Sequence, residues 1–286
     1  MSNGKIAIVV DSCTDVPEAD IERFGMYVVP LQINYEKESF LDKVTISAEE
    51  VYSRLEEEVP RTSTPTPAVV GEVLDRVVAD GYDQAVIVTI SSGLSSTYDL
   101  LRSVATGMPH LRSVLVDSKN IGMGAGLVVL AVARMVEAGA TLSDIERAVP
   151  GIVENTKVFF CVDTLDYLVR GGRIGKVTHA VGGLLDMRPV ISCNEDGVYY
   201  TVAKAKGRRQ SLKRMMKCAM EVAEGFDRCV GAVVNAAAQD EADAILAELK
   251  AKAGNVEKWH TGHISPALVV HAGPGMVGVG FQKILS

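Results

Sequence analysis

Two loops rich in serine and threonine carry the side chains best suited to bind a ligand. One loop reads Thr62-Ser63-Thr64-Pro65, and the other runs from Ser91 to Thr97 as Ser-Ser-Gly-Leu-Ser-Ser-Thr. The second loop follows an apolar, strand-like run and precedes a helix-like segment, so its hydroxyls and free N–H groups should face one point. Neither loop supplies the lysine of a phosphate-binding P-loop. A carboxylate is therefore favoured over a phosphate as the ligand.

Helix capping is the simpler explanation for either loop alone, because Ser and Thr cap helices in many proteins. Two further apolar segments, however, also end in polar residues. They are Ile6–Val10, which runs into Asp11, and Val114–Val116, which runs into Asp117. In an open parallel sheet, ligands bind outside the carboxyl ends of the strands. We therefore expect the polar clusters to share one edge of a sheet.

The first half of the chain alternates strand-like and helix-like segments, which predicts a doubly wound α/β/α domain over residues 1–155. Strands are expected at Lys5–Val10, Tyr27–Tyr35, Ala85–Ile90 and Ser113–Val116. Helices are expected at Ser47–Glu58, Ala68–Asp80, Ser96–Met108, Gly122–Ala138 and Leu142–Glu154.

The second half predicts another α/β domain over residues 156–286, with a mixed sheet because Gly197 signals a hairpin. Its strands are expected at Val158–Val162, Val190–Cys193, Val198–Ala205, Cys229–Asn235, Ala267–His271 and Val277–Gln282. Its helices are expected at Leu165–Val169, Val177–Leu185, Gln210–Ala223 and Gln239–Lys252. No segment rich in Gly, Ser or Pro separates the halves, so we expect a tight interface.

Five motifs, in order along nearly the whole chain, resemble those of the DegV family of bacterial fatty-acid-binding proteins. They are Val10-Asp11-Ser12, Thr62-Ser63 followed by Pro65, Ile90-Ser91-Ser92-Gly93-Leu94-Ser95 with Thr97-Tyr98, Leu165-Asp166-Tyr167-Leu168 leading to Gly171-Gly172-Arg173-Ile174, and His271-Ala272-Gly273-Pro274-Gly275. One such motif is weak, but five in register are specific.

The resemblance implies two domains with one long-chain fatty acid buried between them, the second domain closing the pocket. It assigns the carboxylate to Thr62 and Ser95, and we expect Ser92 and His271 to support the head group. It also implies a carrier rather than an enzyme. No His, Cys or Asp cluster has metal-ligand spacing, so we expect no cofactor or metal. Some family members present the fatty acid to a separate kinase that makes acyl phosphate.

Two positions depart from the family pattern. Leu-Ser-Gly-Thr reads Leu94-Ser95-Ser96-Thr97 here, which adds a side chain where the backbone approaches the ligand. His-Thr-Gly-Pro-Gly reads His271-Ala272-Gly273-Pro274-Gly275, which removes a hydroxyl beside His271.

Alternative functions remain open. Ser92 or Ser95 with His271 would suit a serine-dependent acyl hydrolase, although the chain has no G-x-S-x-G elbow. A carrier of another small carboxylate is a third possibility. Asp11 and Asp117 are more simply turn or cap residues than a metal pair. The glycines from Gly122 to Gly126 lack dinucleotide-site spacing and favour close packing.

Composition agrees with a cytoplasmic binding protein. The net charge of −7 argues against a nucleic-acid binder. The five cysteines form no Cys-x-x-Cys pair, so neither a disulfide framework nor a zinc ribbon is supported. The most apolar stretch, from Gly126 to Val136, contains Arg134 and is shorter than the ~20 residues of a membrane span.

Two basic segments stand out against this acidic background. One holds Arg170, Arg173 and Lys176, and the other, 204–217, holds seven cations that include Arg208 and Arg209. A solvated helix face is the simpler interpretation of segment 204–217. The functional interpretation of both basic segments is a docking surface for an acidic partner, such as the kinase, or for transient contact with an anionic membrane.

Overall fold

A computed structural model describes residues 5–180 and 187–285. Its strands are β1 (Ile6–Asp11), β2 (Tyr27–Val29), β3 (Gln32–Asn34), β4 (Ser39–Leu41), β5 (Arg61–Ser63), β6 (Gln84–Thr89), β7 (Arg112–Asp117), β8 (Thr156–Cys161), β9 (Val190–Cys193), β10 (Tyr199–Ala203), β11 (Cys229–Ala236), β12 (Val256–His263) and β13 (Met276–Lys283). Its helices are α1 (Glu18–Phe24), α2 (Ala48–Arg54), α3 (Pro67–Ala79), α4 (Thr97–Thr106), α5 (Met123–Glu137), α6 (Leu142–Glu154), α7 (Asp166–Arg170), α8 (Arg208–Ala223), α9 (Gln239–Lys252) and α10 (Pro266–Ala272).

The N-terminal half is built on a parallel sheet with the strand order β2-β1-β6-β7. Strand alternation sends Val9 and Ile87 to one face, where they pack against α3 and α4. Val10 and Val86 point to the other face, towards α5 and α6. The predicted parallel α/β half is thereby confirmed.

The C-terminal half is built on a six-stranded mixed sheet with the order β10-β9-β8-β13-β11-β12. Only β11 and β12 pair in parallel among these strands. Phe159 and Phe281 face α8 and α9 on one side, while Val158 and Phe160 face the opposite side. This is the mixed sheet that the sequence predicts.

Helix α5 joins the two halves. It contacts β1 and β6 of the parallel sheet and β8, β11 and β13 of the mixed sheet. Its residues from Met123 to Leu130 are all buried, as expected for a helix that is apolar around its whole circumference. Gly126 lies so close to the Thr14 carbonyl that a Cβ atom would not fit, which agrees with the close-packing interpretation of this glycine-rich start.

A small antiparallel sheet, β4-β3-β5, was not predicted from the sequence. The single strand expected at Tyr27–Tyr35 is wrong, because the chain leaves the parallel sheet after Val29 and β3 pairs with β4 and β5 instead. Pro30 stands at this break, where its missing N–H removes a ladder hydrogen bond. The small sheet positions Thr62, which lies on β5.

The strand expected at Ala267–His271 is also wrong, since these residues belong to helix α10. Ser265 caps this helix by accepting a hydrogen bond from the Leu268 N–H, and Pro266 occupies its first turn. Strand β12 was not predicted. The expected helix Val177–Leu185 begins within a 3-10 helix at Gly175–Ala180, and its remainder lies outside the described residues.

Across residues 5–180 and 187–285, no helix has both the length and the apolar character to cross a bilayer.

Candidate functional site

An apolar cavity lies among elements from both halves of the chain. The space between its lining atoms is about 750 Å³, part of it open to solvent. Much of the wall is aliphatic or aromatic, with Leu31, Ile121, Met123, Phe160, Leu268 and Met276 among the lining side chains. The polar lining residues include Thr62, Ser95, Arg173 and His271.

Thr62 and His271 are in direct contact at this cavity. Thr62 Oγ1 lies 2.6 Å from His271 Nε2, although 209 positions separate the two residues in sequence. Strand β5 supplies Thr62, and the last turn of α10 supplies His271. Gly171 packs so closely against the imidazole that a Cβ atom there would overlap Nδ1. The ring is therefore fixed between β5 and the end of α7.

Burial keeps the His271 imidazole neutral at physiological pH. Desolvation, aided by the charge of Arg173, lowers the pKa of His271 from 6.5 to about 4. Its buried Nδ1 has no hydrogen-bond partner among the described residues. With the proton on Nε2, the ring donates to Thr62 Oγ1 and leaves the Thr62 hydroxyl hydrogen free for another acceptor.

Ser95 lies in the loop before α4, next to Leu94, which also lines the cavity. Its Oγ is 2.8 Å from Thr97 Oγ1 and accepts a hydrogen bond from the Thr97 N–H at 3.3 Å. The loop thus holds the hydroxyl in place at the start of the helix.

Arg173 also lines the cavity, although the sequence suggested a docking role on the surface. Its Nε donates to the Leu94 carbonyl at 3.2 Å and its Nη1 donates to the Gly171 carbonyl at 2.7 Å. The guanidinium is therefore fixed between the Ser95 loop and the glycine that touches His271. The pair Gly171-Gly172 before the arginine was a usable sequence signal, since it allows this close approach.

Ser92 is engaged elsewhere and is not among the described residues that line the cavity. Its hydroxyl donates to Asp117 Oδ2 in a very short contact, and Lys119 Nζ lies 2.9 Å from the same carboxylate. Burial acts to raise the pKa of Asp117, but hydrogen bonds from Ser92 and Lys119 outweigh it, so the pKa is lowered. The structure thus places Ser92 in a neighbouring polar network.

Asp11 also serves the local backbone. It is fully buried at the end of β1, where it accepts hydrogen bonds from the N–H groups of Cys13 at 2.9 Å and Ile90 at 2.7 Å. Desolvation raises the pKa of Asp11 to about 7. The expected shared edge is observed for three clusters, because Asp11, Ser91 and Asp117 stand at the ends of the parallel neighbours β1, β6 and β7. Thr62 lies on β5 of the small antiparallel sheet instead.

The other predicted docking residues, Arg170, Arg208 and Arg209, are not among the described residues that line the cavity. Arg170 is exposed at the end of α7. Arg208 forms a bidentate pair with Glu241, at 3.1 Å and 2.5 Å, and only 20% of its side chain is exposed. Arg209 is exposed at the start of α8. Arg208 is thus committed to a structural ion pair, whereas Arg170 and Arg209 face solvent.

Comparisons with known proteins agree on one family. The sequence model of the DegV family, described as "Uncharacterised protein, DegV family", matches residues 5–283. A DegV domain-containing protein of Clostridium acetobutylicum is 41% identical over 275 residues, which cover 96% of this chain and 98% of that protein.

Two solved structures share the fold. One, described as showing fatty acid binding of a DegV family protein from Thermus thermophilus, is 27% identical, with a TM-score of 0.92 over 98% of this chain and 100% of that one. A DegV lipid-binding protein from Thermotoga maritima is 26% identical, with a TM-score of 0.87 over 97% of this chain and 98% of that one. Both descriptions refer to ligand binding, and neither names a catalytic activity.

Proposed function

The chain belongs to the DegV family, and we propose that it binds one long-chain fatty acid in the apolar cavity. The observation that carries this proposal is a largely aliphatic wall next to four polar side chains, Thr62, Ser95, Arg173 and His271. An acyl chain matches the wall, and a carboxylate matches the polar residues. The fatty-acid and lipid binding of the structural relatives supports the same ligand class.

Each polar residue has a distinct part in holding the carboxylate. The Thr62 hydroxyl, which accepts from His271 Nε2, donates to one carboxylate oxygen. Ser95 donates to the ligand from the loop that Thr97 fixes. Arg173 supplies the positive charge. Its Nε and Nη1 donate to backbone carbonyls, and its Nη2, which has no partner among the described residues, can donate to the ligand. His271 orients Thr62. Ser92 supports the loop through Asp117 rather than through the ligand.

We propose that the cavity lies between two domains, residues 1–155 and 156–286. The sheets support this division, since the parallel and the small antiparallel sheet use strands before residue 155 and the mixed sheet begins with β8 at Thr156. Thr62 and Ser95 then come from the first domain, and Arg173 and His271 from the second. The contacts of Thr62 with His271 and of Leu94 with Arg173 would then join the two domains at the head-group site.

We further propose that the protein is a carrier in the cytoplasm that presents the carboxylate to a fatty acid kinase. The cavity is partly open to solvent. Exposed cations such as Arg170 and Arg209 would attract an acidic partner and allow transient contact with an anionic membrane. All five cysteine thiols are unpaired, which suits a reducing compartment.

The geometry favours binding over acyl hydrolysis. A serine nucleophile needs a base within hydrogen-bond reach, but His271 Nε2 contacts Thr62, and Ser92 contacts Asp117. A histidine with a pKa of about 4 is also a weak general base at neutral pH. The site therefore holds a carboxylate without an activated nucleophile beside it.

Mass spectrometry of organic extracts from the purified protein tests the ligand directly. We expect a stoichiometric long-chain fatty acid in the extract of the wild type and much less in that of a Thr62→Ala/Ser95→Ala variant. A protein that carries no lipid and binds no added fatty acid would contradict the proposal. Release of fatty acid from acyl esters, lost in a Ser92→Ala/Ser95→Ala variant, would favour the hydrolase.

A further inference from the structure

Tyr199 lines the cavity but is not one of the four residues assigned to the carboxylate. It opens strand β10 and is only 6% exposed. Side chains alternate along a strand, so Tyr199 faces the cavity while Tyr200 lines a separate groove beside Cys218 and Val222 of α8. Tyr199 thus places a phenol in an otherwise mostly apolar wall.

The Tyr199 hydroxyl forms no hydrogen bond with any residue in the described part of the chain. Buried tyrosine hydroxyls usually have a partner, because an unpaired polar group loses its hydration without compensation. Tyr35 has a fully buried hydroxyl without a partner among the described residues, but it is not a lining residue of the cavity. The Tyr199 hydroxyl is not among the fully buried unpaired atoms, in keeping with its place on the cavity wall.

The tyrosine ring is held in position by its neighbours. It packs edge-on against Phe160, with 5.2 Å between ring centroids and 67° between ring planes. Behind it, Gly175 approaches the Tyr199 backbone so closely that a Cβ atom would lie 3.1 Å from the carbonyl oxygen. The fixed ring gives the hydroxyl a defined position in the wall.

Burial and nearby groups set the protonation state of the Tyr199 hydroxyl. Burial raises the pKa of Tyr199 well above its ordinary value, Cys193 and Cys13 raise it further, and Arg173 lowers it. The phenol therefore stays protonated and can both donate and accept a hydrogen bond. Arg173 belongs to the head-group site, whereas Cys13 lies beyond it and bonds to Ser265 at the opposite end of α10 from His271. Tyr199, Arg173 and Cys13 all line the same cavity.

On the premise of the proposed fatty-acid site, we propose that Tyr199 recognises a hydroxyl group on the acyl chain, so that the preferred ligand is a hydroxy fatty acid. An unsubstituted chain would cover the Tyr199 hydroxyl and leave it unpaired in the complex. A chain with a hydroxyl at the matching carbon would satisfy both groups at once. Sites that hydrogen-bond a ligand hydroxyl discriminate against analogues without it, because the site's own polar group is then unpaired.

A positional series of monohydroxystearic acids, compared with stearic acid by fluorescence displacement, tests this selectivity. We expect one positional isomer to bind about two- to tenfold more tightly than stearic acid, the range for a hydrogen bond between neutral groups. Tyr199→Phe keeps the ring against Phe160 and removes only the hydroxyl. It should abolish the preference for that isomer and leave stearic acid affinity unchanged or slightly higher.

Tyr35→Phe is the control, because it too removes a tyrosine hydroxyl that has no partner among the described residues, but Tyr35 lies outside the cavity lining. It should leave the isomer preference intact. Stearic acid binding without any isomer preference, or a preference that survives in Tyr199→Phe, would overturn the role of Tyr199 alone. An equal loss of stearic and hydroxystearic acid in Tyr199→Phe would also overturn it. Failure of every fatty acid to bind the wild type would overturn the fatty-acid site itself.

Discussion

Thr62 Oγ1 lies 2.6 Å from His271 Nε2, and this contact joins the small β4-β3-β5 sheet to the last turn of α10. Through this contact a neutral His271 imidazole orients the Thr62 hydroxyl at the cavity. In the proposed head-group site, the positive charge therefore lies on Arg173 and the orienting donors are neutral side chains.

Removing the hydroxyls should weaken fatty-acid binding while the fold remains intact. Thr62→Ala and Ser95→Ala should each cost ~1.5–3 kcal/mol of binding free energy, the range for a hydrogen bond to a charged group. Their neighbours provide controls: Ser63 is exposed and donates to Gln32, and Ser96 is exposed. Ser63→Ala and Ser96→Ala should bind normally. Fluorescence displacement measures these affinities. Near-normal fatty-acid affinity of a Thr62→Ala/Ser95→Ala double variant would mean that the carboxylate lies elsewhere.

Thr62, Ser95 and His271, which the sequence singled out, line the cavity, but their contacts could not be predicted. Thr62 and Ser95 followed from hydroxyl-rich loops at strand ends and from the family motifs. Ser92 had the same signals, but its partner Asp117 lies 25 positions away, and no local pattern reveals which hydroxyl a carboxylate will engage. Arg173 was read as a surface charge because its two carbonyl partners are set by tertiary packing.

The errors in secondary structure have identifiable causes. Ala267–His271 is apolar and rich in β-branched valine, which favours a strand. The Ser265 cap and Pro266 at the first turn indicated a helix, and these local signals prevailed. Strand β12 was missed because six of its eight residues are polar or glycine, and the strand lies at a sheet edge, where much of it is exposed. Pro30 was the available signal that the strand after Tyr27 is broken.

The His271 imidazole should remain unprotonated far below the usual histidine range. Its pKa is about 4 in the folded protein against 6.5 for the free side chain, so the unfolded chain binds more protons between these values. The His271 contribution to stability is therefore complete above pH 6.5 and is lost as the pH falls towards 4. An NMR titration, with His271→Gln to assign the signal, measures this pKa. A His271 midpoint near 6.5 would contradict the burial of the ring.

Enlarging Gly171 should disturb the head-group site through His271. A Cβ atom at this position would overlap Nδ1 of the imidazole. Because Nδ1 has no hydrogen-bond partner among the described residues, no such bond holds the ring against the displacement. We expect Gly171→Ala to lower fatty-acid affinity and to broaden or shift the His271 NMR signal. Gly71→Ala in α3 is the control, since a Cβ atom there meets nothing within 4 Å. That control should bind normally and be slightly more stable, because alanine favours helix.

Neutralising Arg173 should weaken binding and raise the pKa of His271. Arg173→Gln removes the positive charge proposed to hold the carboxylate, and the same charge helps to lower the histidine pKa after burial. Arg170→Gln removes an exposed charge from the same segment and should change neither property. Calorimetry with a fatty acid and the His271 titration are the two measurements. If both variants behave alike, Arg173 acts only as a surface charge.

The exposed cations should govern encounter with a kinase rather than lipid affinity. Charges at the rim of an interface mainly change the association rate and its salt dependence. Arg209→Glu should therefore slow kinase-dependent phosphorylation of the bound fatty acid at low salt, less so at high salt, and leave fatty-acid affinity unchanged. Arg208→Glu is unsuitable for this test, because it would set two acids against each other at the Glu241 pair and lower the unfolding temperature. Arg209→Gln removes the charge without reversing it. Its phosphorylation rate at low salt should therefore lie between those of the wild type and Arg209→Glu. Phosphorylation by Arg209→Glu at the wild-type rate at every salt concentration would show that Arg209 is solvated surface without a docking role.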